Sequence, residues 1–135
     1  MLLLAAPKPT LIRLALAIVL HVCGVVPNSR NRQAAVHYTE SIEIVATNPS
    51  VWANRAMCWL KLANPTKALA DAEKCLELDP KYTKAHFRRG VALLELDRFV
   101  DACKAFRTTL DLDPKNAQAK SSMMLAEKKL SMLNR

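Results

Sequence analysis

Glycine and aromatic residues are scarce in this chain of 135 residues. Two glycines are too few for a β-rich fold built on tight turns, and they form no glycine-rich phosphate loop. No metalloprotease helix, paired-carboxylate motif or nucleophile–histidine arrangement occurs, and the three histidines stand apart from such partners. The sequence therefore predicts a protein that is not an enzyme and needs neither a cofactor nor a metal.

The cysteines form no metal or redox motif, because no two of them are spaced as C-x-x-C. Three of the four fall within helical patterns, where a cysteine behaves as a small buried hydrophobic residue. We expect free thiols, although an even number of cysteines leaves disulfide bonds possible. The positions are Cys23, Cys58, Cys75 and Cys103.

Acidic residues are absent from the first 39 positions, although the whole chain carries 20 basic and 12 acidic residues and a net charge of +8. Beyond residue 39 the two signs are mixed as on an ordinary protein surface. No basic stripe with interleaved aromatic residues follows, so we expect no nucleic-acid partner.

A period of 34 residues is the most informative feature of the chain. Pro80 and Pro114 both follow the pattern Leu-x-Leu-Asp-Pro-Lys, and the same shift superposes Ala68 on Ala102. A 34-residue unit of two helices is the tetratricopeptide signature. Small residues at Ala56 and Gly90 would let paired helices approach closely, and proline would end each second helix.

The predicted fold is all-α, a tetratricopeptide helix-turn-helix solenoid of about two and a half to three repeats with a C-terminal capping helix. Residues 30–135 form this domain, and residues 1–29 form a separate apolar segment. The last helix would bury Ala119, Met123, Ala126 and Leu130, and we expect Met124 and Met132 in the core as well. The predicted helices span residues 30–45, 50–62, 66–78, 84–96, 100–112 and 116–133.

The first helix of each repeat lines the concave face of such a solenoid. Lys84 and Arg88 lie one turn apart, and Asn54 is the counterpart of Arg88 one repeat earlier. Two cations and an amide in one groove suit a carboxylate ligand. We therefore predict a peptide-carboxylate site at Asn54, Lys84 and Arg88, in a groove lined by Ser50, Met57, Lys61 and Val91.

Three segments, Tyr38–Ile42, Asn54–Ala56 and Lys84–Gly90, resemble the tetratricopeptide domains of co-chaperones, including the stress-induced organising protein. This resemblance covers about residues 30–133. It implies a cytoplasmic adaptor whose dicarboxylate clamp grips the C-terminal Glu-Glu-Val-Asp of heat-shock chaperones of seventy and ninety kilodaltons. The clamp residues that it implies here are Asn54, Lys84 and Arg88.

The chain departs from the family in the first repeat, where the register places Val19 and Cys23 at the positions of a clamp lysine and asparagine. The segment Leu11–Val26 is almost wholly apolar. It is interpreted as a divergent first helix, with a membrane anchor or a signal peptide as alternatives. We therefore expect a clamp that binds weakly. The alternative is a tetratricopeptide scaffold, or a membrane-tethered protein whose tetratricopeptide domain faces the cytosol, that binds a different partner.

Overall fold

A computed structural model describes residues 27–44 and 46–135 of the chain. These two stretches contain helices and no strand, which confirms the all-α prediction. Every predicted boundary after residue 46 lies within one residue of the observed one, and the first helix begins at Pro27 rather than at residue 30. The helices are α1 (Pro27–Ile44), α2 (Pro49–Lys61), α3 (Pro65–Leu78), α4 (Thr83–Glu95), α5 (Phe99–Leu112) and α6 (Ala117–Leu133).

Asparagine and proline fix the starts of α2 and α3. Asn48 and Asn64 are the N-cap residues, and each side chain accepts a hydrogen bond from a backbone N–H of the first turn. A proline follows each cap, where its missing N–H costs no helical hydrogen bond and its fixed φ suits the helix. Pro80 and Pro114 follow the ends of α3 and α5 by two residues, as the repeat pattern predicts.

The turn between the two helices of each repeat contains one residue with a left-handed backbone conformation, and in neither turn is that residue glycine. Ala63 has φ 56° after α2, and Asp97, one repeat period later in the chain, has φ 60° after α4. A side chain with a Cβ atom pays about 1–2 kcal/mol in this conformation, and aspartate tolerates it better than alanine. Both turns are therefore locally strained.

The repeat extends to the hydrogen bonds that hold each first helix. The indole N–H of Trp52 donates to the carbonyl oxygen of Ala46 at 2.9 Å. One period later, Nε2 of His86 donates to the carbonyl oxygen of Pro80 at 2.7 Å. Each ring connects the first turn of its helix to the preceding loop by a hydrogen bond, so Trp52 and His86 have the same structural role although their side chains differ.

Each helix packs against the next one in sequence, and α2 also contacts α4 while α4 contacts α6. Small residues make these approaches possible, since Ala56, Ala68 and Ala102 are fully buried. Phe106 fills the centre of the larger core cluster, with its ring centroid 5.8 Å from that of Phe87. The first helices therefore form one layer, which is the arrangement that the predicted groove requires.

The capping helix α6 covers the end of this stack. Ala119 and Ala126 are fully buried, and Met123 and Leu130 pack against the larger core cluster, as predicted. The expectation that the other methionines belong to the core is wrong, because Met124 is 67% exposed and Met132 is 59% exposed. Both lie on the face of α6 that turns away from α5, where no further helix of the described chain packs.

The predicted apolar segment, with Leu11–Val26, Val19 and Cys23, lies outside the described residues, apart from the first three residues of α1. Within residues 27–44 and 46–135, no helix is long and apolar enough to cross a membrane. The three cysteines in this part of the chain, Cys58, Cys75 and Cys103, are free thiols, and the first two are buried.

Candidate functional site

A cavity of about 560 Å³ opens beside the first turns of α4. This volume is within the range of ordinary ligand pockets. Lys84 and Arg88, two of the predicted carboxylate-binding residues, both line it, and so does Met57 of α2, one of the predicted groove residues. The cavity therefore holds two cations and an apolar side chain from two neighbouring first helices.

Arg88 is the buried member of this pair, with only 8% of the residue exposed. Its Nη1 donates to the carbonyl oxygen of Ala53 at 2.7 Å, which anchors the guanidinium to α2. No fully buried side-chain nitrogen or oxygen among the described residues lacks a partner. The other guanidinium nitrogens of Arg88 bond no group among the described residues, and Arg88 lines the cavity.

The surroundings of Arg88 do not neutralise its charge. Burial lowers the pKa of the Arg88 guanidinium, and the nearby Tyr82, Cys75, Cys58 and Tyr38 act in the opposite direction. Thiols and phenols are uncharged at neutral pH, and burial raises the pKa of Cys75 further, to about 11. An arginine stays protonated under these conditions. No carboxylate pairs with Arg88 within residues 27–44 and 46–135, so the site keeps a partly desolvated positive charge, which favours an anionic ligand.

Lys84 and Asn54 differ from Arg88 in how they are held. Lys84 is exposed and forms no ion pair within the described part of the chain. Asn54 is half-buried on α2, and its backbone neighbour Ala53 is the residue that accepts the hydrogen bond from Arg88. The structure thus brings Arg88 against the backbone next to Asn54, although Asn54 does not line the cavity itself.

Three of the predicted groove residues have other contacts. The Ser50 hydroxyl donates to the Asn48 side chain at 2.7 Å and so belongs to the N-cap of α2. Val91 packs against the larger core cluster. Lys61 is exposed in the last turn of α2. None of the three lines the cavity. The side chains on one face of a helix point in a common direction, but the sequence pattern does not specify how closely the next helix approaches them.

Sequence reasoning missed the part of the cavity that the end of α5 and the start of α6 supply. Leu112 and Asp113 come from the end of the third repeat, and Asn116 and Gln118 from the start of the capping helix. The sequence does contain a signal for this part of the cavity, because the residue one repeat period after Lys84 is Gln118. The groove therefore continues onto the capping helix.

A separate polar network joins α1, α2 and α3. Arg55 donates from Nε and Nη2 to the two carboxylate oxygens of Asp71, each at 2.7 Å, and from Nη1 to the Thr39 hydroxyl at 3.0 Å. The Trp59 indole N–H also donates to Asp71, at 2.9 Å. All these donors and acceptors are satisfied within the protein, so this network is structural.

The described residues contain no group of three or more histidine, cysteine or acidic side chains that could hold a metal ion. The tetratricopeptide repeat matches this chain at residues 49–82 and again at residues 83–116. The chain belongs to the tetratricopeptide repeat family. The two matches begin and end as the sequence register predicts, with α2 and α3 in one repeat and α4 and α5 in the next.

Relatives of this tetratricopeptide protein include the Hsp70-Hsp90 organizing protein 2 of Arabidopsis thaliana, which is 32% identical over 102 residues. That match covers 76% of this chain and 18% of the relative, so the chain spans less than a fifth of that protein.

Two solved domains are also similar. The first tetratricopeptide domain of Spaghetti (RPAP3), bound to the HSP90 peptide SRMEEVD, is 28% identical with a TM-score of 0.74, covering 76% of this chain and 82% of that one. The second such domain of human RPAP3, in complex with the HSP70 peptide SGPTIEEVD, is 33% identical with a TM-score of 0.71, covering 73% of this chain and 82% of that one.

Proposed function

We propose that this chain is a protein–protein adaptor that binds the C-terminal tail of Hsp90- or Hsp70-class chaperones. Arg88 and Lys84 receive the terminal carboxylate, and Asn54 donates an amide hydrogen bond beside them. The observation that carries the proposal is Arg88, a buried guanidinium that has no carboxylate partner among the described residues. It lines a cavity together with Lys84, which forms no ion pair in that part of the chain.

The similar domains support the choice of ligand. Two of them were solved with peptides ending in Glu-Glu-Val-Asp, one from HSP90 and one from HSP70. A charged hydrogen bond contributes about 1.5–3 kcal/mol, so a free carboxylate that accepts from the buried Arg88 and from Lys84 beside it has a favourable site.

We propose further that the affinity is low. The register gives Val19 and Cys23 where the family has a lysine and an asparagine, and the loss of two such bonds weakens binding by roughly 3–6 kcal/mol. A micromolar site, near roughly −8 kcal/mol, then falls toward the millimolar range or beyond. The assay must therefore detect weak binding.

The test is a titration of the protein with Met-Glu-Glu-Val-Asp, followed by amide chemical shifts, with the peptide as the free acid and as the C-terminal amide. We expect binding of the free acid alone and its loss in Lys84→Ala. The matched control is Lys104→Ala, which removes an exposed cation from α5, outside the cavity.

Two results would overturn the proposal. Equal binding of acid and amide would show that the carboxylate is not recognised and would favour a scaffold that takes a different partner. Equal loss in the Lys84 and Lys104 variants would reduce the interaction to the net positive charge of the protein.

A further inference from the structure

The capping helix begins with an asparagine that lines the same cavity as Lys84 and Arg88. Asn116 is the N-cap residue of α6, and its Oδ1 accepts a hydrogen bond from the backbone N–H of Ala119 at 3.0 Å. The backbone N–H of Asn116 donates to the carbonyl oxygen of Asp113 at 3.2 Å. The backbone and the side-chain oxygen are both held, so the cap decides which way the side-chain amide is turned.

The amide nitrogen of Asn116 has no acceptor in the described part of the chain. An asparagine side chain carries one acceptor oxygen and two N–H donors, and the cap of α6 engages the oxygen. No fully buried side-chain nitrogen or oxygen within residues 27–44 and 46–135 lacks a partner, so the unpaired Nδ2 is open to solvent. Asn116 can therefore meet a ligand with hydrogen-bond donors.

The two cations of the cavity are donors as well. The ammonium of Lys84 and the guanidinium of Arg88 carry N–H groups and no acceptor, and Asn116 adds two N–H groups from α6. A peptide end matches such a lining, because an extended chain offers its terminal carboxylate and then a carbonyl oxygen about every 3.3–3.6 Å. An acceptor is therefore within reach of Asn116 whichever residue of the tail passes it.

We infer that Asn116 is a further ligand-binding residue, whose Oδ1 caps α6 while its Nδ2 donates to a carbonyl or carboxylate oxygen of the bound tail. The inference rests on the proposed carboxylate site and extends that site from α4 to the capping helix. It suits tails that end in Glu-Glu-Val-Asp, since their acidic side chains add acceptors. It also supplies an amide donor in a chain that has Cys23 at the register position of the family's asparagine.

The two roles of Asn116 can be separated by substitution. Serine and aspartate are about as good as asparagine at an N-cap, so Asn116→Ser and Asn116→Asp keep the cap and remove the amide donors. Asn116→Asp also adds a carboxylate to a cavity that Asp113 already lines. The matched controls are Asn64→Ser and Asn64→Asp, because Asn64 is a half-buried N-cap outside the cavity whose side chain accepts from the Lys67 N–H at 3.3 Å.

The experiment titrates the free acid of Met-Glu-Glu-Val-Asp into the native chain and the four variants, after circular dichroism has established that each is folded. Binding is followed by the backbone amide shifts of α4. We expect Asn116→Ser to bind about two- to tenfold more weakly than the native chain, Asn116→Asp more weakly still, and both Asn64 variants like the native chain. In the native chain the side-chain NH₂ signals of Asn116, assigned by their absence from the variants, should shift as the peptide binds.

The failure of this inference is distinguishable from the failure of the proposed function. Native affinity in both Asn116 variants, or equal losses in the Asn116 and Asn64 variants, would overturn the role of Asn116. The carboxylate site would then stand if Lys84→Ala still abolished binding. Absence of binding of the free acid to the native chain would overturn the proposed function, and the inference would fail with it.

Discussion

Removal of the Asp71 carboxylate should destabilise this domain more than any surface charge change. Its side chain is 5% exposed and that of Arg55 is 16% exposed, so the bidentate pair lies largely out of water. Asp71→Ala leaves the Arg55 guanidinium and the Trp59 N–H without their acceptor. Breaking a buried pair from one side costs about 3–5 kcal/mol, a large fraction of the about 5–15 kcal/mol that stabilises an ordinary domain.

The same helix offers a matched control. Glu73 approaches Arg89 at 3.6 Å, with side chains that are 51% and 31% exposed. An exposed pair of this kind contributes about 0–1 kcal/mol, so Glu73→Ala should have little effect on the free energy of unfolding. The two substitutions remove the same charge from α3, two residues apart, and differ in the burial of the pair.

Urea denaturation followed by circular dichroism measures both effects. Asp71→Ala should shift the midpoint strongly without changing the slope, and the double variant Arg55→Ala/Asp71→Ala should cost less than the sum of the single variants. If Asp71→Ala costs no more than Glu73→Ala, the network does not stabilise the packing of α1, α2 and α3 as argued.

Three further changes test the packing, the thiol and the turn. Gly90→Ala should lower the thermal midpoint, because the new Cβ would lie 2.6 Å from the Phe106 ring. Overpacking of this kind costs about 1–3 kcal/mol, whereas the higher helix propensity of alanine contributes only about 1 kcal/mol. An unchanged midpoint would contradict this reasoning. Burial raises the pKa of Cys75 from 9.0 to about 11, so between these values the unfolded chain loses a proton that the folded chain keeps, and stability falls as pH rises. Between about pH 8 and about pH 10.5 the urea midpoint should therefore fall less in Cys75→Ala than in the native chain. Equal falls in the two proteins would refute the assignment of this pH dependence to Cys75. Ala63→Gly should raise the free energy of unfolding by about 0.5–1 kcal/mol by relieving a positive φ, and by more than Asp97→Gly does in the same denaturation assay; a loss of stability would show that this turn is not strained.

The sequence alone determined the repeat, the helices and much of the local chemistry. The period between Pro80 and Pro114 fixed the register, and the helix boundaries predicted from it lie within one residue of the observed ones from α2 onward. Asparagine caps and prolines stand at the starts of α2 and α3. These signals are local, because a cap or a proline acts on the turn in which it stands. Arg55 and Arg89 stand one repeat period apart, and each pairs with an acidic residue of α3, Asp71 and Glu73 respectively.

Tertiary structure alone decided which members of one helical stripe are available to a ligand. Lys84 and Arg88 share a face of α4, yet one is exposed and the other is buried against the backbone of Ala53. Val91, on the same stripe, packs into the core instead of lining the cavity. Periodicity gives the direction of a side chain from its own helix axis, whereas its burial depends on how closely neighbouring helices approach. For the same reason Asp113, which is distant from Lys84 in sequence, shares its cavity.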